Sequence, residues 1–125
     1  MIIDANIILR SILSDNEQLS KQAKNIIENN ECFAPNEVIA EVVFVLQKVY
    51  EVPREEIAAL LSKSFNYFEV ADEVLLREAL FFYGKTKLDF VDCILAAYNS
   101  VKNEDVATFD KKLNNFMARL KFPAC

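Results

Sequence analysis

The chain has 125 residues, with 53% apolar and 26% charged side chains, so it reads as one globular unit spanning 1–125 and not as a disordered segment. It contains no histidine. That excludes Ser-His-Asp and Cys-His nucleophiles, His-held zinc and ribonuclease chemistry built on paired imidazoles. The formal charge of −5 argues against a binder that holds nucleic acid by net charge alone, though not against an enzyme that meets phosphodiesters through bound cations.

One glycine and three prolines leave little material for tight hairpins, which disfavours an all-β fold. Cys32, Cys93 and Cys125 are an odd, scattered set with no C-x-x-C pair. They read as reduced thiols, with neither a disulfide framework nor a zinc site. No apolar run approaches the roughly 18 residues of a membrane span, and the N-terminus has no basic leader or cleavage site. A soluble cytoplasmic protein is expected.

In chain order, Met1-Ile2-Ile3-Asp4 reads as a buried first strand ending in an acid. Ile7, Ile8, Leu9 and Ile12 make a short helix, and Leu19, Ala23, Ile26 and Ile27 space out a second that stops near Asn29. Cys32-Phe33-Ala34 is a short strand. Pro35 opens a helix from Glu37 to Tyr50 whose apolar residues run nearly all round it, as in a helix buried between layers. Pro53 opens the next, with Ile57, Leu60, Leu61 and Phe65 on one face. Tyr67 to Val70 is a strand, Ala71 to Tyr83 a helix, and Gly84 to Lys87 a loop. Asp89 to Val101 forms a further apolar helix, Val106-Ala107-Thr108 a last core strand, and Phe109 to Leu120 a final helix. Short strands alternating with helices of about 10–15 residues predict a parallel sheet flanked by helices, with the ligand site beyond the carboxyl ends of the strands.

Asp4 directly follows the first strand and Asp110 the last; each could be a helix N-cap or a site residue. Glu41 has Val38, Phe44 and Val45 within a turn. A buried carboxylate there needs a partner or an opening to water, and the alternative is an outward face shared with Glu37 and Lys48. Asp89 and Asp92 are three apart in a helix's first turn, where Asp89 suits an N-cap. The following run is apolar on every side, so capping explains Asp92 less well. Carboxylates converging on one cleft repel by about 2–4 kcal/mol per close pair at an effective dielectric near 20. A hard divalent cation removes that penalty. Oxygen-only ligands suit Mg²⁺ or Mn²⁺, which can activate water for in-line displacement at phosphorus. Gly84-Lys85-Thr86 resembles the end of a phosphate-binding loop. Ala79 stands where that loop needs its first glycine, and a helix precedes the segment, which argues against a nucleotide loop.

Four blocks, Met-Ile-Ile-Asp-Ala-Asn-Ile-Ile-Leu-Arg from residue 1, Pro-Asn-Glu-Val-Ile-Ala-Glu-Val-Val-Phe-Val-Leu from 35, Asp-Phe-Val-Asp-Cys-Ile-Leu-Ala-Ala from 89 and Ala-Thr-Phe-Asp from 107, together resemble PIN-domain nucleases. The resemblance is greatest to VapC-type toxins of prokaryotic toxin–antitoxin pairs and runs in order to about Leu113. It implies a three-layer α/β/α fold with a short parallel central sheet. It carries the family's acidic quartet onto Asp4, Glu41, Asp92 and Asp110. Asp89 corresponds to a further acid, and Asn6 and Thr108 to supporting polar residues. The implied function is Mg²⁺- or Mn²⁺-dependent cleavage of RNA leaving 5′-phosphate and 3′-hydroxyl ends, with Asp4, Asp92 and Asp110 as metal ligands. It also implies a homodimer and inhibition by a VapB-like antitoxin. Arg10, Lys85, Lys87, Lys111 and Lys112 lie nearest these acids in sequence and are the expected phosphate contacts. A non-catalytic PIN-like scaffold binding RNA or protein is the rival. A receiver-like phosphoacceptor fits less well, because no lone acceptor aspartate and late lysine can be placed.

Overall fold

The structure, a computed structural model, describes residues 1–121. Helices α1 (Ala5–Ile12), α2 (Glu17–Asn29) and α3 (Asn36–Lys48) are followed by α4 (Arg54–Ser64), α5 (Glu73–Lys85), α6 (Phe90–Lys102) and α7 (Lys111–Lys121). Two short strands, β1 (Phe33–Ala34) and β2 (Glu69–Val70), pair in parallel with Phe33 opposite Glu69. The helices flank this sheet in a three-layer α/β/α arrangement. Cys125 and the tail expected to follow Leu120 lie, from residue 122, outside the described residues.

Each boundary has a local cause. Asp4, Asn16 and Asp72 cap α1, α2 and α5 by accepting from the backbone N–H groups of Ile7, Leu19 and Leu75. Pro35 and Pro53 occupy the N-cap positions of α3 and α4, where a missing N–H costs nothing. The helix α6 ends at Asn103, which takes the left-handed conformation (φ 55°) that asparagine tolerates better than most residues.

One apolar core runs from Ile3 to Met117, and its fully buried members include Ile8, Ile39, Leu46, Ile57, Leu61, Leu75, Leu80 and Leu113. Three edge-on aromatic pairs (Phe65–Phe68, Phe82–Phe116 and Tyr83–Phe90) pack in the arrangement ring quadrupoles favour, the last two tying α5 to α7 and to α6.

Four expectations need correction. The first strand shrinks to a single parallel bridge, Ile2 to Phe33. Asp4 starts α1 at once, which ends the ladder, and Ile2 is exposed while Ile3 is buried. Residues 106–108 form no strand. That segment is held instead by amides, with Asn99 Nδ2 donating to the Glu104 carbonyl and Asn114 Nδ2 to that of Thr108. Gly84 and Lys85 belong to α5 and not to a loop. A Cβ on Gly84 would meet the Ala58 Cβ at 3.3 Å, so the missing side chain is what lets α4 and α5 approach. Finally, α3 is not apolar all round: Glu37, Glu41, Phe44 and Lys48 form an exposed strip.

Candidate active site

Three of the acids sit at helix N-termini. Asp4 is the N-cap of α1, with Oδ1 accepting from the Ile7 N–H at 3.0 Å. Asp110 plays the same part for α7, accepting from the Leu113 N–H at 3.0 Å. Thr108 supports it, its Oγ1 accepting from the Asp110 N–H at 3.1 Å. Capping occupies one carboxylate oxygen in each case and leaves the other free. Asp89 stands at the N-cap position of α6 but makes no side-chain cap bond, contrary to the expectation that it would cap.

Asp92, in the first turn of α6, is half-buried. Burial pushes its carboxyl above the ordinary carboxylate value, and the negative charges of Asp110 and then Asp89 push it further. The structure thus brings Asp110 and Asp89 within electrostatic reach of Asp92, from the starts of the two consecutive helices α6 and α7. Asp4 and Asn6 are exposed at the start of α1. Glu41 is exposed on the strip with Glu37 and Lys48, so the argument from a buried carboxylate does not apply to it. Among the described residues no group of three Asp, Glu or Cys stands ready-made to hold a metal ion. The acids that do meet, Asp92 with Asp110 and Asp89, nevertheless offer only hard carboxylate oxygens, a chemistry that fits Mg²⁺ or Mn²⁺.

The expected cations separate into two groups. Arg10 pairs with Asp15 at 3.2 Å and is committed locally. Lys111 is exposed in the first turn of α7. Lys85, Lys87 and Lys112 line one groove, and Arg119 joins them there. Arg119 escaped the reading of the sequence, although its place seven residues after Lys112 puts both on one face of α7.

A second residue was missed. Arg54 Nε donates to the Tyr83 carbonyl at 2.9 Å, and its Nη2 donates to the carbonyl of Leu88, the residue before Asp89. Its signal was a lone cation in the first turn of a helix, where the dipole disfavours positive charge. The Thr86 hydroxyl tightens the same connection by donating to the Phe82 carbonyl and accepting from the Leu88 N–H. Cys93 follows Asp92 but is a core thiol, since burial pushes its pKa up to about 11.

The fold is an α/β/α domain with Asp4, Asp89 and Asp110 at helix N-cap positions and Asp92 in the first turn of α6. The chain matches the PIN domain over residues 1–118 and belongs to that family. It is also 32% identical over 80 residues to a protein named VapC ribonuclease, from Aquifex aeolicus (strain VF5). That alignment covers 62% of this chain and 55% of the relative, so the chain spans little more than half the relative's length. No solved structure gives a significant match. No helix among the described residues is long and apolar enough to cross a membrane.

Proposed function

We propose that the chain, as one PIN unit over 1–125, is a Mg²⁺- or Mn²⁺-dependent endoribonuclease and the toxin of a VapB-like antitoxin. One observation carries this reading: the Asp92 carboxyl is pushed up by burial and by Asp110 and Asp89, in a chain of the PIN domain family. Asp4, Asp92 and Asp110 would hold the cation, with Glu41 and Asp89 beside them and Asn6 and Thr108 in support. A bound Mg²⁺ or Mn²⁺ supplies Lewis acidity, which makes water a nucleophile near neutral pH and offsets charge on the phosphoryl oxygens.

The chain's own part is orientation. Thr108 and the Asp110 cap fix one carboxylate. The Arg54 bond to the Leu88 carbonyl fixes the backbone from which α6 presents Asp89 and Asp92. With no histidine in the chain, no imidazole takes part, and the carboxylates at the site or water would move the proton. The leaving 3′ oxygen then takes its proton from solvent, and in-line attack by water puts the phosphate on the 5′ end. Exposed Phe44 on α3 and Val91 and Tyr98 on α6 support a homodimer that covers them. An antitoxin peptide reaching the acidic site would present Arg or Lys to the carboxylates.

The test is cleavage of single-stranded and structured RNA during Mg²⁺ and Mn²⁺ titration, with the product ends identified. Cation-dependent cuts carrying 5′-phosphates are expected. Binding without cleavage at any cation concentration would favour the non-catalytic scaffold instead. The same titration should raise the melting temperature, because a cation at 100 times its dissociation constant adds about 2.7 kcal/mol.

A further inference from the structure

The geometry points to a groove beside the acidic site that holds the phosphodiester backbone of single-stranded RNA, with Lys85, Lys87, Lys112 and Arg119 as the phosphate contacts. This rests on the nuclease reading and adds to it the surface that grips the substrate. The groove has a volume of about 670 Å³ and runs between the α5–α6 connection and α7. Four cations line it together with Asn115 and Phe116, and no acid does. That sign is opposite to the chain's, which has 19 acids against 14 bases.

Local pairing does not account for these cations. Among the described residues none of the four forms a salt bridge; the lysines and arginines that do are Arg10, Lys21, Arg77 and Lys102. Lys85 is instead held over the ring of exposed Phe81, its Nζ 4.3 Å from the centroid. Lys112 sits in the first turn of α7, where the helix dipole works against a positive charge, and the acid at that helix end, Asp110, is engaged in capping the Leu113 N–H. Four cations gathered on one face with no carboxylate among them suit an anion supplied from outside.

Position identifies the anion. Lys87 is two residues before Asp89, and Lys112 is two after Asp110, so the cationic groove and the carboxylates share the same two stretches of chain. A strand lying in the groove leads its next phosphate toward Asp89, Asp92 and Asp110. An acidic peptide on that path would bring carboxylates against carboxylates. An RNA phosphate can share the cation those carboxylates hold, and its regular charge spacing suits a row of basic side chains.

The experiment measures anisotropy of a fluorescein-labelled, mixed-sequence single-stranded RNA of about twenty nucleotides, in EDTA to prevent turnover, across a salt series. The proteins are the wild type, Lys112→Gln/Arg119→Gln, Lys85→Gln/Lys87→Gln, and Lys21→Gln/Lys63→Gln as a charge-matched control outside the groove. Each contact removed should lower the slope of log K against log salt by about 0.7, hence by about 1.4 in each groove variant and not in the control. All the substituted side chains are exposed, so folding is retained, and melting curves verify it. Equal slopes in groove variants and control would overturn the assignment. So would unchanged RNA binding with loss of poly-glutamate binding, which would make the groove a site for acidic peptides. RNA cleaved by the wild type with unaltered slopes in the variants sinks the groove alone. RNA bound through the groove but never cleaved supports the groove and sinks the nuclease reading.

Discussion

Arg54 lies flat on Tyr83, its guanidinium carbon 3.7 Å from the ring centroid, while its Nε donates to the carbonyl of that same residue. The Tyr83 hydroxyl donates in turn to Gln47 Oε1 at 2.7 Å, so α3, α4 and α5 meet through one stacked pair. The second arm of the guanidinium reaches Leu88, which makes Arg54 the link between the core and the connection that carries Asp89. Charged donors to buried carbonyls are worth about 1.5–3 kcal/mol, and a planar fork cannot be replaced by an ammonium. Arg54→Lys should therefore lose about 1.5–3 kcal/mol in urea denaturation, with a further loss of cleavage from a loosened Asp89–Asp92 segment. By contrast, Lys21→Ala, which breaks only the exposed pair with Glu17, should cost less than about 1 kcal/mol. A lysine variant as stable as the wild type would show that stacking and bidentate donation contribute nothing here.

Because Asp4 and Asp110 cap helices, alanine at either position confuses stability with chemistry. Asp4→Ala and Asp110→Ala should each lose about 0.5–2 kcal/mol through the cap. Asparagine caps as well as aspartate does, so Asp4→Asn and Asp110→Asn should melt near the wild type and still lose cation-dependent cleavage. Thermal melts beside an RNA assay separate the two effects. Asparagine variants that cleave at the wild-type rate would leave these acids as caps and nothing more.

The helices were legible because apolar spacing and proline act locally: Leu19, Ala23, Ile26 and Ile27 mark α2, and Pro35 and Pro53 stand at the starts of α3 and α4. The strands were less so. Whether Met1–Ile3 or 106–108 joins a ladder depends on partners supplied by the tertiary fold, and in 106–108 the Thr108 carbonyl accepts from the Asn114 amide instead. The acid cluster was readable as a set but not as a geometry. Spacing named Asp89 as the cap of α6, whereas its side chain makes no such bond and its charge acts on Asp92. Glu41 misled for a related reason: the neighbours that make α3 look apolar include Phe44, which the fold leaves exposed. Arg54 and Arg119 act across elements, and sequence spacing hints at such roles only weakly.

Asp72 provides an acid-side test of the fold away from the site. It accepts from the Leu75 N–H and pairs with Lys102 at 2.8 Å, and its carboxyl is held below the ordinary value, chiefly by the hydrogen bond from Lys102. A depressed carboxyl contributes stability above its unfolded value and loses it as the pH falls through the folded one. Asp72→Asn should therefore be less stable than the wild type at pH 6, and the gap should close as the pH drops below about 4. A gap that stays constant from pH 6 to pH 2 would assign the effect to packing.

Asp92 should show the opposite sign. Its carboxyl is raised by burial, then by Asp110 and Asp89, so its favourable contribution is complete below the ordinary carboxylate value and is lost as the pH rises through the raised one. Above that point the ionised side chain works against the fold. Asp92→Asn keeps the shape and removes the repelled charge. At pH 7 without metal the variant should melt at or above the wild type, by up to about 1–2 kcal/mol once the like-charge repulsion is discounted for partial exposure. Its advantage should shrink as the pH falls toward 3. Mn²⁺ should then stabilise the wild type and not the variant, and RNA cleavage should disappear, because an amide is a poor ligand for a hard cation. If the first-turn charge mattered only to the helix dipole, the variant would instead lose about 0.3–1 kcal/mol at pH 7, with or without metal, and would keep its activity. A variant that melts lower without metal and cleaves like the wild type would remove Asp92 from the site.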